Sequence, residues 1–304
     1  MPFFRFLVSL TLFLLFSGGS LVFAAMSSTN YQIQWDSLTP GGSDTSSSAS
    51  YLLRDSLGTA SLGSGSSTSY QTQSGYRAGV YDQVAAFQVF GQTSTTTDAS
   101  VLSGTQITVS SSASFSAGDY IALVQDVGAS QVAAIGKVSS TGVGTLTVDF
   151  FKNGGTVPTI DGTNDKVYKL SGASAALGTL SWNSVTTAIV GFEASADTGN
   201  GYTVSVFSDG GFRFGIYEIN GVADGSVSAG IEEYGGRSTD ATLANSTFDT
   251  ADTAFSTSAQ EVATESSSAL ESRNFVTLKA SINQTSSTNG SYTQMLSFVL
   301  SGNF

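Results

Sequence analysis

An alternation of apolar and polar residues with a period of two is the feature of this 304-residue chain that most constrains its fold. In the segment YQIQWD, Tyr31, Ile33 and Trp35 fall on one face of an extended strand, and the polar residues between them fall on the other. A strand that is buried on one face requires this spacing. Similar segments recur along the chain and are separated by turns rich in Gly, Ser and Asn. The sequence therefore predicts an all-β fold.

A short repeat, Ser-Ser-x-x-Tyr, occurs three times near the N-terminus. Its tyrosines are Tyr31, Tyr51 and Tyr70, at intervals of 20 and 19 residues. A period near twenty fits one strand plus one connection, or a strand pair with a tight turn, repeated along the chain. We interpret residues 25–90 as a region of strand repeats.

Two further regions follow these repeats. The polar stretch GQTSTTTDAS, which begins at Gly91, is interpreted as a linker. Residues 91–170 contain short strand-like segments with Gly-containing turns, which predicts a small β-barrel or compact sandwich. Residues 171–304 have the size and pattern of a β-sandwich. Within them, Gln260 to Leu270 fits a short helix, an irregular edge strand or a loop equally well.

The composition excludes several classes of active site, because the chain contains no His and no Cys. Ser-His triads, Cys nucleophiles and zinc sites built on imidazole or thiolate are therefore impossible, as are disulfides. Only carboxylates, lysines, tyrosines and hydroxyls remain for acid–base chemistry. We expect a protein that is not an enzyme and that has no cofactor.

The first 24 residues have the pattern of a secretory signal. Arg5 supplies a positive charge, Phe6 to Phe16 form an apolar core, and small residues at the end predict cleavage after Ala24. Retention of this segment as an N-terminal anchor is the alternative. The pattern predicts a protein that is secreted and exposed at the cell surface, attached to a membrane only through its export signal.

The net charge argues against nucleic acid as a partner. Removal of residues 1–24 takes away one Arg and no acid, so 10 basic and 23 acidic residues remain and the formal charge is −13. Such a surface repels the phosphate backbone. Only 11% of the residues are charged, and Gly is abundant at 34. This composition is typical of exported all-β proteins with hydroxyl-rich surfaces.

Several longer segments carry a resemblance to a known group of proteins. They are the Ser-Ser-x-x-Tyr repeats, RAGVYDQ, SGTQITVSSSASFSAGDYIALVQD, NGYTVSV, NGVADGSVSAGIEEYGGR and GSYTQMLSFVLSGNF. Together they resemble uncharacterised Ser/Thr/Gly-rich exported surface proteins of candidate-phylum bacteria, over essentially the whole mature chain. This resemblance implies a location at the cell surface and an architecture, but no activity. The closing strand is also similar to that of WxL-type wall-binding domains, although Leu296-Ser297-Phe298 stands where the Trp-x-Leu pair is expected.

Two acidic segments are candidate sites. Glu232 and Glu233 are paired acids, as glycoside hydrolysis needs, but neighbouring residues of a strand point to opposite faces. The alternative, which we favour, is that Glu232 and Glu233 lie in a solvated turn. Asp161, Asn164 and Asp165 bring oxygen ligands together as a weak calcium candidate. Side-chain capping of a hairpin turn is the alternative explanation.

Aromatic residues form a third candidate, because exposed rings can stack on sugars. They are Tyr31, Trp35, Tyr51 and Tyr70, followed by Tyr76 and Tyr81. Packing within the core or across strands is the alternative. The chain also matches the N-x-[ST] acceptor pattern at Asn245, Asn283 and Asn289, which arises often by chance in a Ser/Thr-rich chain.

These observations predict a structural or adhesive protein of the cell surface. We expect it to pair with copies of itself or with other surface proteins, as a subunit of an extracellular layer or filament assembled by strand pairing. A module that binds glycans or the cell wall is the alternative. An outer-membrane β-barrel and a polysaccharide hydrolase that uses carboxylates alone rank below both.

Overall fold

The computed structural model describes short strand segments between residues 27 and 74, and then residues 85–286 and 290–303. The chain divides into two compact units, one of residues 1–65 and 72–78, the other of residues 66–71 and 79–304. All the regular elements of the described residues are β-strands, which confirms the all-β prediction. Among these residues no helix is long and apolar enough to cross a membrane.

Six short strands lie within the predicted repeat region. They are β1 (Ser27–Ser28), β2 (Tyr31–Gln32), β3 (Gly41–Ser47), β4 (Leu52–Leu57), β5 (Gly63–Ser66) and β6 (Gln71–Ser74). They pair as β1 with β2, β3 with β4, and β5 with β6. The second copy of the repeat starts at the last residue of β3 and ends just before β4, and the third copy lies in the same way between β5 and β6. Each copy thus marks a strand pair, which is one of the two arrangements that its period predicts.

Fifteen further strands follow. They are β7 (Ala85–Ser103), β8 (Gln106–Val109), β9 (Tyr120–Gln125), β10 (Val132–Gly142), β11 (Thr145–Val148), β12 (Lys152–Asn153), β13 (Lys166–Leu170), β14 (Thr186–Ala196), β15 (Tyr202–Ser208), β16 (Phe212–Phe214), β17 (Tyr217–Ile219), β18 (Glu233–Ser238), β19 (Gln260–Glu265), β20 (Ala269–Ser281) and β21 (Leu296–Gly302).

Six of these strands close into a ring. The second half of β7 pairs with β8, followed by β11, β10, β9 and β13, and β13 pairs back onto β7. Every pair is antiparallel. Its interior is filled by side chains such as Ile107, Leu123, Leu146 and Val167, all fully buried. The ring is consistent with the small barrel predicted for this part of the chain.

Two sheets share a second core. Sheet A consists of the first half of β7, then β14, β20 and β18, and sheet B consists of β19, β15 and β21. Burial alternates strictly along β15, where Tyr202, Val204 and Val206 point into the core. The rings of Phe192 in sheet A and Phe298 in sheet B lie 5.9 Å apart. The period-two pattern of β15 thus places every second side chain between the two sheets.

The predicted linker is wrong, because Gly91–Ser100 lies inside the continuous strand β7. The first half of β7 pairs with β14, and its residues from Gln92 onward pair with β13 and β8. Neighbours on both edges hold these polar residues extended, and β-branched threonines suit a strand. A domain limit at residue 91 would divide this strand, and the predicted limits stay predictions.

The ring and sheet A are packed against each other. Phe90, Ile189 and Phe275 of sheet A contact Tyr120 and Ala122 on the outside of the ring. The rings of Phe90 and Tyr120 stack with their centroids 4.1 Å apart. Both faces of β9 and β14 are therefore covered, which explains why their sequences read as apolar runs and not as alternations.

Candidate functional site: the uncharged strand edges

The acid pair of the sequence analysis serves two separate local contacts. Glu233 begins β18, is buried, and accepts a hydrogen bond from the backbone N–H of Ser228 at 3.2 Å. Glu232 accepts hydrogen bonds from the hydroxyl of Ser286 and the amide of Asn220. The two carboxylates thus have different partners, and neither contact forms a cleft between two acids.

The acidic loop before β13 is fastened by its own backbone. The carboxylate of Asp165 accepts hydrogen bonds from the N–H groups of Asp126, Asp161 and Gly162 at 2.9–3.1 Å. Asp161 accepts one from the N–H of Thr163, two residues later, which is the predicted capping of the turn. Asn164 uses its amide to donate to the carbonyl of Val127. Carboxylate oxygens of Asp161 and Asp165 therefore bind backbone donors. Within the described residues no group of three acidic side chains is placed to hold a metal.

The remaining predicted positions fall largely outside the described side chains. This holds for the aromatic residues Tyr31, Trp35, Tyr51, Tyr70, Tyr76 and Tyr81, and for Asn289. Of the other acceptor asparagines, Asn245 is exposed and donates to Glu261, whereas Asn283 is half-buried and caps its own turn. The glycan platform stays a prediction.

A buried ion cluster, which the sequence analysis missed, lies between the ring and sheet A. The guanidinium of Arg273 on β20 is fully buried and binds both oxygens of Asp149 at 2.6 and 2.8 Å. Its Nε donates to Glu193, the residue directly opposite on β14, at 2.7 Å. Tyr120 donates to the other oxygen of Glu193, and the ring of Phe150 lies 4.2 Å from the guanidinium carbon. Arg273 follows Glu271 and Ser272 and precedes Asn274, so its polar sequence context gave no sign that it would be buried.

Titration of the cluster follows from these contacts. Burial alone would raise the pKa of Asp149, but hydrogen bonds from Arg273 and from the N–H groups of Phe150 and Lys137 lower this pKa below its ordinary value. Burial raises the pKa of Tyr120, and its hydrogen bond to Glu193 adds to the increase. Arg273, Asp149, Glu193 and Tyr120 all have partners within the cluster, which therefore fastens the two layers together.

The strand edges differ sharply between the two sides of the paired sheets. On one side the outer edge of β18 is covered by backbone hydrogen bonds, in which Tyr234 bonds to Asn220 and Val222 and Gly236 bonds to Thr253. On the same side, the edge of β19 carries two glutamates, and the hydroxyls of Ser238, at the end of β18, and of Ser246 donate to its carbonyls. Charge and covering groups of this kind prevent another strand from adding.

Among the described residues, no such group covers the opposite side. The first half of β7 pairs only with β14, and β21 pairs only with β15, within the part of the chain that the structure describes. These two strands lie in contact. Their sequences, AAFQVF and LSFVLSG, contain no charged residue and no proline. We call this the open side of the paired sheets.

Apolar side chains along the open side are only half covered. Phe87 and Val89 of β7, together with Leu296, Phe298 and Leu300 of β21, border the core of the paired sheets without being fully buried. On the outer face, Val299 is 44% exposed. The nearby hairpin of β16 and β17 adds exposed Ile216 and Tyr217. Apolar groups in this quantity at a free edge are typical of an interaction surface.

No protein-family model, curated protein or solved structure matches this chain.

Proposed function

We propose that this chain is a non-enzymatic, exported protein of the cell surface that assembles by adding a strand of another copy at the open side. The single observation that carries the proposal is the contrast between the edges. The outer edges of β18 and β19 are covered or charged, whereas the first half of β7 and all of β21 are uncharged, and within the described residues no strand pairs with their outer edges.

Strand addition fits the chemistry of this edge. An incoming strand would form a backbone ladder with the free N–H and C=O groups, and its alternate side chains would cover Phe298 and Leu300. The seven residues of β21 provide a ladder of ordinary strand length. No cofactor or reactive group is needed, which agrees with a chain that has no His and no Cys.

Export is supported by the sequence alone. Residues 1–24 have the order of a positively charged start, an apolar core and a small-residue cleavage site. A strongly acidic, hydroxyl-rich chain also stays soluble while it carries an unprotected edge, because copies repel one another at long range. The short-range ladder then determines where they join.

The test is the assembly state of the purified mature protein. Sedimentation and electron microscopy should show oligomers whose fraction rises with concentration, and Val299→Lys should shift them to monomers because a charge blocks the edge. Val143→Lys is the matched control, since Val143 is fully exposed in the turn after β10. A wild-type protein that remains monomeric at high concentration, or equal assembly by both variants, would contradict the proposal.

A further inference from the structure

A buried ion pair lies beside β18, at the opposite edge of sheet A from the open side. Lys279 of β20 and Asp252, in the connection between β18 and β19, keep only 14% and 3% of their side chains exposed. The Nζ of Lys279 donates to Oδ2 of Asp252 at 3.1 Å and lies 2.8 Å from Oδ1, which receives no hydrogen bond among the described residues. The amine therefore lies against the carboxyl group, whose carbon is between these two oxygens.

A second carboxylate, that of Glu233, lies next to this pair. Glu233 of β18 and Lys279 of β20 are diagonal neighbours in the antiparallel pairing, two residues apart in register, and therefore lie on the same face of sheet A. The consecutive backbone N–H groups of Val227 and Ser228 donate to the carboxylates of Asp252 and Glu233, at 2.9 and 3.2 Å. One short segment thus holds both carboxylates beside the amine.

Apolar groups separate this site from water. Val222 and Val227 are buried and form a small apolar cluster with Val185. Gly235 is directly opposite Lys279, and a side-chain carbon added there would lie 2.6 Å from Val222. The apolar cluster therefore covers the ion pair, and a bond formed between its two members would be protected from hydrolysis.

We propose that Lys279 and Asp252 condense to an isopeptide bond within the folded chain. The Nζ of Lys279 attacks Cγ of Asp252, so that a C–N bond forms and the bond from Cγ to Oδ1 breaks. Two protons pass from Nζ to Oδ1, which leaves as water, and Glu233 relays them. The N–H of Val227 stabilises the negative charge that develops on Oδ2, which becomes the amide oxygen. The step involves no oxidation or reduction and needs no co-reactant.

Proximity is the physical reason for the reaction. Groups that a fold holds in reacting geometry reach effective concentrations of ~10⁵–10⁸ M, which accelerates a step that is slow between free molecules. The distances of 2.8 and 3.1 Å place the amine close to the ~3–3.5 Å separation of reacting atoms. A chain without Cys cannot form disulfides, and the amide would supply the cross-link that many exported proteins gain from them. The bond does not depend on strand addition, because β18 and β7 form opposite edges of sheet A.

The test is mass spectrometry of the denatured mature protein. The wild-type chain should be lighter than its sequence by one water. Trypsin cannot cut at an acylated Lys279, so residues 238–273 and 274–304 should appear as one linked species after digestion. A wild-type chain of full mass would overturn the proposal, and so would a linkage that fragmentation places at other residues.

Two variants test the bond itself. Lys279→Arg keeps a cation beside Asp252 but has no amine to acylate, so it should have its full mass. Lys169→Arg is the matched control, because the Nζ of Lys169 lies 2.7 Å from Asp119 in a more exposed ion pair. This control should lose one water, as the wild type does. Loss of water from Lys279→Arg, or its absence from Lys169→Arg alone, would overturn the assignment of the bond to Lys279.

Glu233→Gln tests the proton relay. The glutamine can still accept the hydrogen bond from the N–H of Ser228, but it cannot take up and return protons. The variant should therefore have its full mass while the ion pair of Lys279 and Asp252 is retained. If Glu233→Gln loses one water as completely as the wild type, Glu233 is not the relay.

Discussion

Replacement of Arg273 by Met tests how the ring and sheet A are held together. The fully buried guanidinium binds Asp149 and Glu193, so the variant leaves two carboxylates without their cation. Removal of one partner of a buried ion pair costs about 3–5 kcal/mol. Asp149 keeps 32% of its side chain exposed and can regain water, whereas Glu193 keeps only 14%. We therefore expect most of the cost to come from Glu193.

The loss would be a large part of the ~5–15 kcal/mol that stabilises an ordinary domain. Urea denaturation should show the transition midpoint fall with little change in slope, and the melting temperature should fall by roughly 6–20 °C. Arg213→Met is the control, because Arg213 keeps 42% of its side chain exposed, against none for Arg273, and its ion pair with Asp209 should contribute about 1 kcal/mol or less.

The double variant Arg273→Met, Glu193→Gln tests whether the unpaired carboxylate of Glu193 causes the loss of stability. Neutralisation of the carboxylate that cannot regain water should recover part of the lost stability. A cost below about 1 kcal/mol for Arg273→Met, or a double variant no more stable than the single one, would show that the buried ion pair does not hold the two layers together.

The ion cluster around Arg273 also makes the free energy of unfolding depend on pH in the acid range. Because the pKa of Asp149 in the folded state lies below its unfolded value of 3.8, its contribution to stability is fully present above that value. The contribution is lost as the pH falls through the folded-state pKa. Wild-type protein should therefore lose stability below about pH 4 more steeply than Arg273→Met, as measured by urea midpoints at a series of pH values.

Three further changes test other parts of the structure. Asp165→Asn should cost about 1–3 kcal/mol in urea denaturation, because an amide cannot accept all three backbone donors, and the exposed Asp161→Asn should cost less. Burial raises the pKa of Tyr202 from 10.0 in the unfolded chain to about 12. This group alone should therefore lower the free energy of unfolding by about 1.4 kcal/mol per pH unit between pH 10 and 12. Urea midpoints that do not change over this range would argue against its burial. Gly91→Ala should destabilise the fold by about 1–3 kcal/mol, because the new methyl carbon would lie 2.2 Å from the backbone carbonyl oxygen of Ser174. Gly199→Ala is its control, because a methyl group there meets no atom within 4 Å.

Local pattern was enough to predict the strands. The alternation in YTVSVF is a period-two signal that belongs to the strand itself, and β15 buries every second residue as this signal requires. For Gln260 to Leu270 the local signals conflicted, and tertiary pairing with β15 selected an edge strand over residues 260–265. The predicted linker failed for a related reason: its polar threonines look like a loop, but partners on both edges hold them in β7.

The sequence by itself determined the all-β class, the exclusion of His and Cys chemistry and the signal-like first segment, because each depends only on residue type and local order. The tertiary structure alone decided the open side, the buried pair of Lys279 and Asp252 and the cluster around Arg273. Whether an edge is free depends on which strands pair, and which carboxylate meets Arg273 depends on the packing of two layers. These contacts join residues far apart in the sequence, such as Asp149 and Arg273 at a separation of 124 positions, and no local pattern encodes them.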